Sequence, residues 1–140
     1  MRLQISTIIT TTYESDTVKS VSIPTAAGEI TVLNRHIPLV SILKPGVLKV
    51  VHVDGSIEFI AISTGVVEVR TEPGERDTEI IVLADQADRA LEIDTTVVEK
   101  AKQRATEALA RPQTLSEEEY KTLVADLAMQ EARIKASSRL

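Results

Sequence analysis

The side chains able to do chemistry in this chain are few in kind. It holds two histidines, His36 and His52, and no cysteine. Without cysteine there is no disulfide, no thiolate metal site and no thiol nucleophile. The histidines fall outside metal-ligand spacing: they are not four apart, and no HExxH run occurs. His52 lies in a stretch that reads as a strand and is expected to be a strand-face residue. His36 lies in a loop before Pro38, where it suits a surface contact. Carboxylates are plentiful, and a paired acid and base would be the chemistry of a sandwich glycosidase. The densest run, Glu117-Glu118-Glu119, falls at a helix start, where the helix dipole favours negative charge without any catalytic role. No GxSxG, P-loop or GxGxxG occurs. Turn geometry accounts for Gly46, Gly55, Gly65 and Gly74. These residues describe a non-catalytic protein, with no cofactor and no metal expected.

Composition narrows the partners. At 140 residues the chain is one domain, or a small domain with an appendage, and is long enough to bury a core. Its net charge of −5, with Tyr13, Phe59 and Tyr120 as the only aromatics, argues against a nucleic-acid binder. The longest apolar runs fall well short of the roughly 20 residues that span a bilayer. The expectation is a soluble intracellular protein that meets a membrane only through a partner.

The elements that must position these residues change character near residue 90. Before it, β-branched residues dominate and short strands are expected at 4–10, 17–23, 29–33, 47–53, 57–63, 66–70 and 79–83. Pro24, Gly28 and Pro45-Gly46 punctuate them. Asp54-Gly55 predicts a type I′ hairpin, Ser63-Thr64-Gly65 a second tight turn, and residues 72–77 a charged loop. Short, regularly spaced strands favour a sandwich or barrel. After residue 90, Ala, Glu, Lys, Arg and Leu dominate. Asp94 suits a helix cap, Ala101, Ala105 and Ala108 make a small-residue stripe, and Arg111-Pro112-Gln113 breaks the helix. Ser116 and Glu119 fit a capping box for a second helix. Its stripe of Tyr120, Leu123, Leu127, Glu131 and Ile134 loses apolar character toward the C-terminus. A short connection makes the two helices antiparallel. Alanine buries little area, so the hairpin is expected to be loosely held.

Five segments then occur in one order and spacing: Gly28-Glu29-Ile30, His36-Ile37-Pro38-Leu39, Leu43-Lys44-Pro45-Gly46, Ser63-Thr64-Gly65-Val66-Val67-Glu68-Val69 and Val82-Leu83-Ala84-Asp85. Together they resemble the epsilon subunit of the F-type ATP synthase, of bacterial type, over nearly the whole chain. The resemblance implies an N-terminal ten-stranded β-sandwich in residues 1–90 and a C-terminal regulatory helical hairpin in residues 91–140. It implies a non-catalytic central-stalk subunit that binds the gamma subunit and rests on the c-ring. Its place would be the cytoplasmic face of the bacterial plasma membrane. Glu29, His36, Pro38 and Leu39 match the family's partner-facing loops, where a charge and an imidazole on neighbouring loops would set orientation.

The resemblance also implies that the helices can extend into the catalytic alpha/beta head and block ATP hydrolysis, with Arg133, Lys135 and Arg139 meeting acidic surface. Some relatives bind ATP on the folded hairpin through Ile or Leu, Asp, two free positions and Arg-Ala. Here Ile93-Asp94-Thr95-Thr96 is followed by Val97-Val98, so the Arg-Ala is lost. Asp88, Arg104 and Arg133 match further pocket positions, and Met129 replaces an arginine. Valine and methionine cannot make bidentate phosphate contacts, so the expectation is weak or absent ATP binding. A stand-alone ATP-sensing module is the alternative reading.

Overall fold

The computed structural model describes the whole chain apart from residues 72, 73, 75 and 76, so the charged loop expected at 72–77 lies largely outside the described residues. Ten strands come first: β1 (Arg2–Ser6), β2 (Thr11–Ser15), β3 (Val18–Thr25), β4 (Gly28–Leu33), β5 (Leu39–Leu43), β6 (Gly46–His52), β7 (Ile57–Ile62), β8 (Gly65–Arg70), β9 (Glu79–Ala84) and β10 (Ala87–Arg89). Two helices follow, α1 (Thr95–Leu109) and α2 (Glu117–Ser138). This is the β-sandwich with C-terminal helices that the sequence implies.

The strands make two layers. One runs β10-β7-β6-β3-β4 and the other β5-β8-β9-β1-β2, and they join where Thr25 of β3 pairs with Leu43 of β5. β1 runs parallel to β9, and the other pairs are antiparallel. Alternation along the strands sends one set of side chains between the layers. Leu3, Ile5, Val21, Ile23, Leu48, Ile60, Ile62, Val67, Ile80 and Val82 are wholly excluded from solvent there.

Local chemistry corrects several expectations. The first strand stops at Ser6, because the Thr7 N–H bonds the Thr10 carbonyl at 2.8 Å and closes a turn. Pro24 lies inside β3 rather than between strands. It is past the end of the β6 ladder, so that neighbour loses no donor. Gly55 has φ 88, but Asp54 is not left-handed, so the hairpin is not type I′. The Gly55 N–H bonds the His52 carbonyl at 3.0 Å and the His52 N–H bonds the Ser56 carbonyl at 2.9 Å. This is a three-residue loop with a glycine bulge. The Asp54 carboxylate accepts from the Ser56 N–H at 2.8 Å and its hydroxyl at 2.6 Å, which holds Asp54 in that turn and its carboxyl below the usual range.

The helices start at the expected caps, with the Ser116 half of the capping box formed. Asp94 accepts from the Thr96 and Val97 N–H groups, and Ser116 accepts from the Glu119 N–H at 3.1 Å. The burial of α2 runs opposite to its apolar stripe. Its C-terminal half is the covered half, since Met129, Ala132 and Ala136 pack on Val47 of β6, Ala61 of β7 and Ala90. Phe59 and Ile93 flank this second, smaller core. Toward its N-terminus Tyr120 and Val124 stay exposed.

Candidate functional site

The outward face of the β5-β8-β9-β1 layer carries an uncharged row. Register places Ser6 beside Leu83, Leu83 beside Val66, and Val66 beside Ile42. Leu83 is 56% exposed, Val66 42% and Ile42 64%. Ile8 and Ile9, almost fully exposed, follow β1 beyond one end of this row. In the next row Val40 is exposed beside Glu68, and farther along charges pair off as Arg70–Glu68 and Arg2–Glu14. Exposed apolar side chains gathered on one face mark a surface for a protein partner.

Glu29 and His36 do not share a loop rim. Glu29 is the second residue of β4, opposite Pro24, and His36 follows the strand's other end. Between Glu29 and Leu33 alone the strand separates their ends by roughly 13 Å, at about 3.3 Å per residue. The His36 ring turns onto its own loop, Nδ1 lying 2.7 Å from the Ile37 carbonyl. Pro38 is exposed, and Leu39 opens β5 half-buried against the main core. The neighbouring residue the sequence did not single out is Arg35, whose φ of 65 is the one left-handed value outside glycine among the described residues. It is held by Thr78, a wholly buried residue equally unmarked by its local sequence.

The three C-terminal cations have different surroundings. Arg133 Nε donates to Asp88 Oδ2 at 2.8 Å, Nη2 to Gln86 Oε1 at 3.0 Å and Nη1 to Gln130 Oε1 at 3.2 Å. It bolts α2 to β10 and the turn before it. The Arg139 guanidinium stands 5.7 Å from the centre of the Phe59 ring. Lys135 is exposed. The residues matched to a nucleotide pocket are only partly brought together. Asp88 and Arg133 meet each other, Ile93 joins the second core and Asp94 caps α1. Arg104 is exposed beside Leu123 and Asp126, without an ion pair among the described residues. Met129, 1% exposed, is core packing.

His52 is structural, as expected, but within a buried network that the sequence does not announce. Its Nε2 lies 2.9 Å from Glu58 Oε1 and 3.1 Å from the Tyr13 hydroxyl, and Nδ1 lies 3.2 Å from the Thr17 hydroxyl. Arg89 donates to the other Glu58 oxygen at 2.8 Å and stacks 5.6 Å from the Tyr13 ring centre. Burial would raise the Glu58 carboxyl, but hydrogen bonds from Arg89, His52 and Tyr13 outweigh it and hold it below the usual range. Burial and the Glu58 charge push the Tyr13 phenol up to about 12. Among the described residues no cluster of metal-ligating side chains occurs, and no helix is long and apolar enough to cross a membrane.

Comparison with known proteins agrees with this arrangement. The family described as ATP synthase, Delta/Epsilon chain, beta-sandwich domain matches residues 1–90. The chain is similar to the ATP synthase epsilon chain of Nitrosococcus oceani, 36% identical over 126 residues, covering 90% of this chain and 84% of that one. It is similar to that of Bordetella petrii, 36% identical over 122 residues, covering 87% and 81%. A chain of the Euglena gracilis mitochondrial ATP synthase, solved as OSCP/F1/c-ring, superposes with a TM-score of 0.75 at 25% identity, covering 96% of this chain and 79% of that one. A chain from the central stalk and c-ring of the Tetrahymena thermophila enzyme shares the fold, with a TM-score of 0.56 at 14% identity, covering 98% and 96%.

Proposed function

The chain belongs to the ATP synthase epsilon-chain family, and from that premise we propose that its sandwich grips the gamma subunit through the uncharged outward row while its helices act as a detachable brake. It is a non-catalytic, central-stalk subunit of an F-type ATP synthase. The observation that carries the grip is the row Ser6, Leu83, Val66 and Ile42, uncharged across four strands and bordered by paired charges. Rotation needs a contact on a rigid element, and this row stands on the strands whose inward neighbours form the main core.

The test is Val66→Glu. Its side chain is solvent-facing in the isolated chain, so the fold should persist with an unchanged melting temperature. Docking would bury an unpaired carboxylate, a change of several kcal/mol, so co-purification with gamma should be lost. A Val66→Glu chain that still assembles would overturn the row as the grip.

For the remainder, residues 1–90 are the coupling body and 91–140 the regulator. Glu29 and the loop of His36, Pro38 and Leu39 lie at opposite ends of β4 and would meet different parts of the c-ring or stalk. Released helices would carry Arg133, Lys135 and Arg139 to acidic surface on the catalytic head. Removing residues 112–140 should then raise ATP hydrolysis by the assembled enzyme, and an unchanged rate would remove the brake from this reading. The bacterial epsilon chains among its relatives support the cytoplasmic face of a plasma membrane. The separation of Arg104 from the Asp88–Arg133 pair supports weak or absent ATP binding, against the stand-alone sensor.

A further inference from the structure

Arg35 occupies a backbone conformation that glycine adopts freely and a residue with Cβ resists. Locally, the His36 N–H bonds the Leu33 carbonyl at 3.1 Å and closes a turn with Arg35 at its third position, where a positive φ is usual for glycine or asparagine. Contacts from distant parts of the chain hold an arginine there. The Thr78 hydroxyl accepts from the Arg35 N–H at 2.7 Å. The Thr78 N–H donates to the Asn34 side-chain carbonyl at 2.9 Å, and the Thr78 carbonyl accepts from the Arg2 N–H at 3.0 Å. Thr71 donates its hydroxyl proton to the His36 carbonyl at 3.0 Å, so in the 2.9 Å contact between the two hydroxyls Thr78 is the donor. Every polar group of Thr78 is thereby used, and all of it is buried. Three hydrogen bonds with Thr71 and Thr78 thus fix the loop.

What this framework presents is a cation. The Arg35 side chain is exposed and forms no hydrogen bond or ion pair with any described residue. Among the described residues, the other arginines at this end of the sandwich, Arg2 and Arg70, are paired with Glu14 and Glu68. His36 Nδ1 bonds its own loop, and the exposed guanidinium is that loop's cation. Two residues on, Ile37 is 76% exposed. A strained backbone over-determined by buried hydrogen bonds, carrying an unpaired charge beside an exposed apolar side chain, has the character of a recognition element.

We propose that Arg35 and Ile37 form a rigid contact knuckle that engages a carboxylate beside an apolar surface on the partner, with Thr78 as its positioning residue. The proposal is independent of the outward row; it deepens, and rests on, the reading that the loop of His36, Pro38 and Leu39 meets the c-ring or stalk. A guanidinium fixed at its Cα can make a two-point contact with a carboxylate at less entropic loss than one on a mobile loop.

The experiment adds purified chain to ATP synthase stripped of this subunit and measures binding over a range of salt. Arg35→Gly should melt no lower than the original chain, since it removes strain, yet bind about tenfold more weakly. Its binding should also vary less with salt. Arg35→Glu should bind more weakly still. Thr78→Val should show the shallow salt dependence of Arg35→Gly, and Thr78→Ser, which keeps the hydroxyl, should restore the steep one. Arg35→Gly binding as tightly as the original chain would overturn the proposal, as would Arg35→Gly melting lower, because the arginine would then serve the fold. If the original chain itself fails to bind the stripped enzyme, the stalk reading falls; if it binds and only Arg35→Gly is silent, the knuckle alone falls.

Discussion

Replacing Arg133 with methionine should loosen α2 from the sandwich while leaving both parts folded. Methionine keeps the apolar stem and removes the guanidinium that reaches Asp88, Gln86 and Gln130. The Arg133 side chain is 21% exposed and that of Asp88 38%, so solvent screens the pair. Its contribution is then about 1–2 kcal/mol, below that of a fully buried charged hydrogen bond. The apolar contact it supplements is small. On the α2 side it consists of Met129, Ala132 and Ala136. At about 0.8 kcal/mol for each methyl and about 2 for the methionine, these give about 3–4 kcal/mol. The guanidinium therefore supplies roughly a third of the docking free energy, and its loss should raise the undocked population about 5- to 30-fold. Amide hydrogen exchange measures this directly. Exchange through the C-terminal half of α2 should quicken by that factor, while the amides of β6 and β8 keep their protection. Asp88→Asn should produce a similar change, and combining it with Arg133→Met should add little, because both remove one interaction. Unchanged α2 exchange in Arg133→Met, or faster exchange spread equally over the sandwich, would refute the reasoning.

The Tyr13 phenol, raised to about 12 by burial first and the Glu58 charge second, holds its proton more tightly folded than unfolded. Its contribution to stability is complete below pH about 10 and lost as pH rises toward 12, about 3 kcal/mol in all; ultraviolet titration in a Tyr120→Phe chain, where Tyr13 is the sole phenol, checks it, and an ordinary value near 10 would count against it. Gly65→Ala should destabilise by about 3 kcal/mol or more in urea melts, because its Cβ would collide with the Leu83 carbonyl and come within 2.7 Å of the Ala84 Cα, both backbone atoms of the paired strand. Met129→Arg should fail to create ATP affinity, since the new charge would enter the second core without a partner and push α2 off. Calorimetric titration with ATP should show weak or no binding for both chains, and micromolar affinity in either would overturn this.

How much could be read ahead depended on whether a residue's reason lay nearby. Asp94 and Ser116 cap helices through bonds to residues two or three positions on, and both were legible. Asp54-Gly55 marked its turn, but the Asp54 bonds to Ser56 selected a different turn from the one expected. Strand β5, Leu-Val-Ser-Ile-Leu, went unread because its outward residues Val40 and Ile42 are as apolar as inward Leu43, which hides the alternation. That same irregularity is the mark of the proposed partner face. Thr78 had no signal at all. Its partners Asn34 and Arg35 stand 44 and 43 positions away, and only the closure of β4 and β9 toward one end brings them together. The Asp88–Arg133 bolt is likewise 45 positions apart. Family resemblance marks Asp88 only as a pocket residue and Arg133 as a pocket residue and a contact to the catalytic head, neither as a latch.

The small second core has a physical logic of its own. An element that leaves its dock exposes whatever the dock had buried, and a large apolar face would then aggregate or bind indiscriminately. Here release uncovers a small face, Ala132, Ala136 and Met129 on the helix against Ala61, Ala90 and Val47 on the body, with Phe59 and Ile93 at its edge. Alanine also favours the helix whether docked or free, so α2 need not unfold to leave. An interface made this thin cannot hold by apolar contact with much margin, and an ion pair supplies the balance. Charge is the suitable complement because it loses little on exposure: Arg133 and Asp88 return to water when separated, where buried leucines could not. The same choice makes docking responsive to salt and to any competing carboxylate that Arg133 meets. The main core, with isoleucine, leucine and valine wholly excluded between its layers, follows the opposite rule and stays shut. Holding one part by side-chain volume and the other by a thin apolar contact topped up by a guanidinium is how this chain keeps a fixed body and a movable arm in one molecule.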